Sequence, residues 1–133
     1  MSTALVATKQ HQLTVRTAAY GAVSLLAATS DKPHKAATAG SVALMSATGP
    51  VGHLLAAKSK DITLRGKSIA ELADQVLPAL TTAVTVLAQQ DPAQADDFRT
   101  TVEMALEAAA AHGRPSPVTS EMIRKITAAM HTA

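Results

Sequence analysis

Several kinds of residue are missing or rare in this chain of 133 residues, and each absence removes a class of protein. There is no cysteine, which excludes a disulfide framework, a thiolate zinc site and a cysteine nucleophile. The chain has one phenylalanine, one tyrosine and no tryptophan, so it lacks a row of aromatic side chains on which nucleic-acid bases could stack. Charged residues make up 17% of the chain, too few for a charge-rich disordered protein.

Alanine takes the place of larger apolar residues. The chain has 29 alanines, whereas Leu, Ile, Val and Phe together number 28. Because alanine is the best helix former and lets helices approach closely, this alanine-rich composition predicts an all-α fold, a single irregular bundle of five to six helices. We expect the whole chain, residues 1–133, to form one domain. Small side chains bury little area, so we also expect a homodimer that adds apolar burial.

Helical periodicity and helix-stop signals divide the chain into six predicted segments. They span about residues 3–29, 33–47, 51–58, 68–89, 92–113 and 117–130. Two capping boxes, Ser68 with Glu71 and Asp91 with Gln94, are predicted to begin the fourth and fifth helices. Pro78 lies inside the fourth segment and predicts a kink or a restart of the helix there.

Apolar residues at steps of three and four indicate which side of each helix faces the core. The residues predicted to face inward are Val15, Ala19, Ala22, Val23, Leu26, Val42, Leu44, Met45, Leu54, Leu55, Leu72, Val76, Leu80, Ala83, Leu87, Phe98, Val102, Ala105, Leu106, Ala109, Met122, Ile123, Ile126 and Met130. The first helix also carries Ala18 and Leu25 beside its stripe. Because it is apolar on two sides, we expect it to supply the dimer contact. His53 lies in a stretch without charge, 36–57, and is expected to be buried.

Charge is distributed unevenly along the chain, although the net charge is only +2. Residues 1–67 carry eight basic and two acidic residues, and residues 68–133 carry four basic and eight acidic residues. One interpretation is that the basic half binds an anionic partner. The other is that the two halves attract each other, within one chain or across a dimer.

A cluster of bases precedes the predicted fourth helix. These bases are Lys58, Lys60, Arg65 and Lys67. Together with Ser68, at a helix N-terminus where backbone amides favour anions, they form a candidate anion-binding site for an acidic protein or a polyanion. The letters Gly66-Lys67-Ser68 match the end of a phosphate-binding loop, but Asp61 stands where that motif requires its first glycine.

Other chemical signatures are incomplete. Residues 69–74 resemble the first helix of a helix-turn-helix motif, but the segment 81–87 that would read DNA contains no base. No two of the five histidines stand three or four residues apart, and no metal site is predicted. Gly49 and Pro50 interrupt the uncharged stretch, so no membrane span is expected. There is no Gly-x-Ser-x-Gly motif for a nucleophilic serine.

These observations favour a non-enzymatic helical interaction protein that self-associates, located in the cytoplasm and without a cofactor. The alternative is an anion- or nucleic-acid-binding helical module that uses the basic 58–67 loop. The two hypotheses differ in salt dependence, because polyanion binding through bases weakens steeply as salt rises.

Overall fold

The computed structural model describes residues 9–56, 64 and 68–132. These residues form six α-helices and no β-strand, which confirms the predicted all-α class. The helices are α1 (Lys9–Ala27), α2 (Pro33–Met45), α3 (Gly49–Ala56), α4 (Ile69–Gln90), α5 (Pro92–Ala110) and α6 (Pro117–His131). The predicted helix ends that fall within the described residues agree with these bounds to within a few residues. The predicted start of the first helix lies outside the described residues.

α1 is the central helix of the bundle. It contacts each of the other helices and packs most extensively against α4. Ala19 and Leu26, on the predicted core stripe, are buried, and so are Ala18 and Leu25 beside it. The expectation that α1 supplies a dimer contact is therefore wrong over this part of the helix, because α2, α4 and α5 already cover both of its apolar sides.

Most of the predicted core is confirmed. Every residue predicted to face inward from α1, α3 and α5 is buried, including Phe98 at the centre of the bundle. In α4 and α6 the prediction holds except at Leu72 and Ile123, which are only partly buried. The large apolar residues of these helices recur at helical spacing, and this regularity makes their inner sides recognisable.

α2 is rotated relative to the prediction. Val42 and Met45, predicted to face inward, are each 51% exposed, whereas Leu44 is buried as expected. The buried stripe of α2 runs through Ala36, Gly40 and Leu44. This helix therefore packs through two small residues and one leucine, while Val42 and Met45 lie outside.

The reason for this rotation is the close approach of α2 to both α1 and α5 at Gly40. A β-carbon added to Gly40 would lie 2.6 Å from Cγ1 of Val23 and 3.3 Å from the carbonyl oxygen of Ala105. Distances this short leave no space for a larger residue at position 40 of α2. A prediction based on side-chain size alone therefore placed the wrong side of α2 against the core.

His53 is exposed, which contradicts the prediction that it is buried. The buried residues of α3 are Val51, Gly52, Leu54 and Leu55. They occupy the inner side of this short helix, and His53 is left on the outer side. An uncharged stretch of sequence therefore did not mean that all of its residues are buried.

The predicted beginning of α4 is confirmed in atomic detail. The Oγ of Ser68 accepts a hydrogen bond from the backbone N–H of Glu71 at 3.1 Å. Ser68 has extended backbone angles, as an N-cap residue requires. Downstream, α4 runs without interruption through Pro78, so the predicted restart does not occur. Pro78 cannot donate to the carbonyl of Asp74, but both residues are exposed, and water can satisfy that carbonyl.

Asp91 ends α4 and begins α5. Its backbone N–H donates to the carbonyl of Leu87 at 2.8 Å, and its Oδ1 accepts from the N–H of Ala93 at 3.0 Å. Because that N–H of Asp91 is already used by α4, Gln94 cannot complete the predicted capping box. The Oε1 of Gln94 is instead buried without a hydrogen-bond partner among the described residues.

Side chains from other helices close the C-terminal ends of α3 and α6, where the last carbonyls have no partner in their own helix. Tyr20 donates to the carbonyl of Leu55 at 2.6 Å, Thr81 to that of Ala129 at 2.8 Å, and Arg99 to that of Met130 at 3.0 Å. Burial raises the pKa of the Tyr20 phenol, so the phenol remains a donor at neutral pH. These bonds hold the helix ends to the bundle.

We expect Leu26→Ala to lower the free energy of unfolding by about 2–5 kcal/mol, because it removes a fully buried side chain and leaves a cavity. Leu72→Ala should cost clearly less, since Leu72 is only partly buried. Urea unfolding of both variants measures the difference. Equal losses at the two positions would contradict this assignment of inner and outer sides.

Replacing the cap of α4 tests the helix start. We expect Ser68→Ala to cost about 1 kcal/mol, because the N–H of Glu71 loses its acceptor. Ser68→Asp restores an acceptor and should retain most of the stability. Urea unfolding of the two variants provides the measurement, and an alanine variant as stable as the aspartate variant would disprove the capping role.

Candidate interaction surface

The predicted anion site falls mostly outside the described residues. The residues in question are Lys58, Lys60, Arg65 and Lys67. The fifth member, Ser68, is the N-cap of α4, and its Oγ accepts from the N–H of Glu71. Its hydroxyl oxygen is therefore engaged by the helix, and anion binding at this loop stays a prediction.

A groove of about 600 Å³ lies between the C-terminal part of α2 and α5. It is lined by Ala43, Ser46, Ala47, Thr48, Gly49, Asp97, Thr100, Thr101, Met104 and Ala108. Apart from Asp97 and Met104, these residues present only methyl groups, hydroxyls or bare backbone. Small residues of this kind allow another helix or loop to approach closely.

One exposed apolar side chain lines this groove, and two more are on α2. The large hydrophobic residues exposed in the described part of the chain are Val42, Met45, Ile69, Met104 and Val118. Met104 lines the groove from α5 and is 61% exposed. Val42 lies one turn before Ser46 on the same side of α2, and Met45 is also exposed on this helix. We call the groove together with Val42, Met45 and Met104 the α2–α5 face.

α2 and α5 run antiparallel along this face. At one end Asp31, just before α2, accepts a hydrogen bond through Oδ1 from the N–H of Arg114, just after α5, at 2.9 Å. Farther along, Gly40 packs against Ala105, as described above. The start of α2 is therefore level with the end of α5.

The two ends of the face carry opposite charges. Asp97 lines the groove where α5 begins, and it is exposed. Lys35, also exposed, lies at the other end of α2, two turns before Val42 on the same side of the helix. Neither Asp97 nor Lys35 has an ion-pair partner among the described residues. The α2–α5 face thus has an apolar middle between an acidic end and a basic end.

Ion pairs lie elsewhere on the surface. Arg99 contacts Asp96 at 2.6 Å, and His131 lies 3.5 Å from Glu103. The hydrogen bond from Arg124 lowers the pKa of the Glu121 carboxyl on the exposed side of α6. Exposed pairs such as these contribute little to stability.

The described lining of the groove offers methyl groups, hydroxyls, a thioether and one carboxylate. Among the described residues that line the groove, Asp97 alone has an ionisable side chain. Within residues 9–56, 64 and 68–132, no three His, Asp or Glu residues come together in a way that could hold a metal ion. In the same residues, no helix combines the length and apolarity needed to cross a bilayer.

Comparisons with protein-family models, curated proteins and solved structures give no match for this chain.

Sequence reasoning missed this face because it assigned Val42 and Met45 to the core and gave Met104 no role. One signal was present. Met104 lies two positions from the buried residues Val102 and Leu106, a spacing that places it on another side of α5. A large apolar residue out of phase with the inner side of its helix indicates an exposed contact residue.

The close approach of α2 to α1 and α5 depends on Gly40. We expect Gly40→Val to cost about 1–3 kcal/mol, because the added side chain must displace Val23 and the backbone at Ala105. Ala39→Val introduces the same residue one position away on an outward-facing side, and it should cost less than about 1 kcal/mol. Urea unfolding distinguishes them, and equal stability of the two variants would contradict the close approach of α2 to α1 and α5.

Proposed function

We propose that this protein is a non-enzymatic interaction protein that self-associates, and that its α2–α5 face binds a second copy of the chain. The observation that carries the proposal is that Met104, 61% exposed, lines a groove of small residues, while Val42 and Met45 are exposed on α2, whose C-terminal part forms the other wall of that groove. Contiguous apolar surface with a polar rim is typical of protein–protein contacts.

A second copy suits this face because the face combines a projection with a groove. In a twofold dimer the same surface serves both partners, so it must be complementary to itself. Met104 projects from the wall of a groove whose other lining residues are, except for Asp97, small. The flexible methionine side chain can fill such an irregular space in the facing copy.

The expected strength of this association is modest. Burying the exposed half of each Val or Met side chain contributes about 1 kcal/mol, and a twofold interface uses each residue twice. Loss of rotational and translational freedom opposes association by at least about 4 kcal/mol. Six such contributions exceed this cost by only about 2 kcal/mol, so a micromolar dissociation constant requires about 6 kcal/mol more from the contact of the small residues.

The mass of the protein in solution tests the proposal. We expect the wild-type chain to pass from monomer to dimer across the micromolar range in analytical ultracentrifugation. Met104→Lys should abolish this change, because it places a charge in the middle of the apolar contact. Val118→Lys is the matched control, since Val118 is 60% exposed, against 61% for Met104, but lies on α6, away from the face.

Urea unfolding of both variants checks that each remains folded. A wild-type chain that stays monomeric throughout the range would overturn the proposal. Equal weakening by the two lysine variants would also overturn it, because the contact would then not lie at the α2–α5 face. Polyanion binding with a steep salt dependence, retained in Met104→Lys and accompanied by a monomeric wild type, would favour the basic 58–67 loop instead.

A further inference from the structure

The polarity of the α2–α5 face restricts how a second copy can lie on it. Asp97 is at one end and Lys35 at the other, and neither has an ion-pair partner among the described residues. A copy aligned in the same direction would place Asp97 against Asp97 and Lys35 against Lys35. A copy turned end for end would place each charge opposite its complement, as interfaces generally do.

We propose that two copies pair end for end across this face, with Lys35 of each copy facing Asp97 of the other. The inference rests on the proposed function, because it specifies the arrangement of the same contact. It names the partner surface as the α2–α5 face itself and adds two charged residues that set its direction.

Helix geometry supports this register. Gly40 is level with Ala105, so by the same antiparallel count Lys35 is level with Ala110. Asp97 and Lys35 are then separated by about 20 Å along the face, at 1.5 Å per residue of α5. A twofold axis that exchanges the two charges must pass midway between them. That midpoint falls between Glu103 and Met104.

The register therefore brings the exposed apolar residues to the centre of the interface. The axis runs between α2 and α5, so Met104 lies near it and faces α2 of the partner. By the same antiparallel count, Val42 is level with Glu103, so it also lies near the axis. The result is an apolar centre with one ion pair at each end, the arrangement typical of protein interfaces. The position of the charges and the position of the apolar residues thus support the same twofold axis independently.

Charge reversal tests the register. At low salt we expect Asp97→Lys and Lys35→Asp each to weaken self-association about tenfold, because each turns two attractive pairs into two repulsive ones. The effect should shrink at high salt, which screens exposed charges. Asp74→Lys on α4 and Lys125→Asp on α6 are matched controls, since both positions are exposed and lie away from the face. The dissociation constant of every variant is measured by analytical ultracentrifugation.

Two further samples complete the test. The double variant Asp97→Lys with Lys35→Asp should regain wild-type affinity, because its two charges are exchanged. An equimolar mixture of the two single variants should form a heterodimer, since one chain then has a lysine at both positions and the other an aspartate at both. Copies aligned in the same direction would instead leave both single variants no weaker than the wild type.

The outcomes separate the register from the function on which it rests. A wild-type chain that remains monomeric overturns the proposed function and the register with it. A wild-type dimer whose single charge variants behave like the two controls overturns only the end-for-end register. Single variants that are weakened, and that recover as the double variant and in the mixture, support the register.

Discussion

The fold depends on helices that approach closely because one of the two residues at each of the closest contacts is a glycine. A β-carbon on Gly21 would lie 2.7 Å from Cγ2 of Val76, and one on Gly40 would lie 2.6 Å from Cγ1 of Val23. At both places the neighbouring helix occupies the space that a side chain would need. This close contact lets the other helices cover both apolar sides of α1, although the chain has a single phenylalanine. Helices that lie close together gain enough dispersion contacts without many large side chains.

A chain that packs through small residues has few large side chains with which to hold the ends of its helices. The chain meets this need with directed hydrogen bonds. Tyr20, Thr81 and Arg99 each donate to a carbonyl in the last turn of a neighbouring helix, α3 in the first case and α6 in the other two. Each bond satisfies a carbonyl that its own helix leaves unpaired, so it fixes the end of a helix without adding to the volume of the core.

A feature could be predicted from the sequence when the residues that determine it lie close together in the sequence. The N-cap at Ser68 depends on residues within one turn, and the phase of α5 is marked by large residues such as Phe98. These features are local, and they were predicted correctly. The phase of α2 depends on the space that α1 and α5 leave at Gly40, which no local pattern records. The α2–α5 face could not be predicted for the same reason, because the exposure of Val42 follows from that phase.

The face and the fold therefore have a common cause. Because α2 presents Ala36, Gly40 and Leu44 to the core, Val42 and Met45 lie on the outer side. The phase fixed by Gly40 thus leaves apolar area exposed on α2, and the groove beside its C-terminal part is lined mainly by small residues. Contact between two copies would repeat the packing by which the helices of one chain meet. Within the chain, connecting turns fix the direction of each helix. Between chains there are no turns, so direction must come from side chains, and charges of opposite sign at the two ends of the face can provide it.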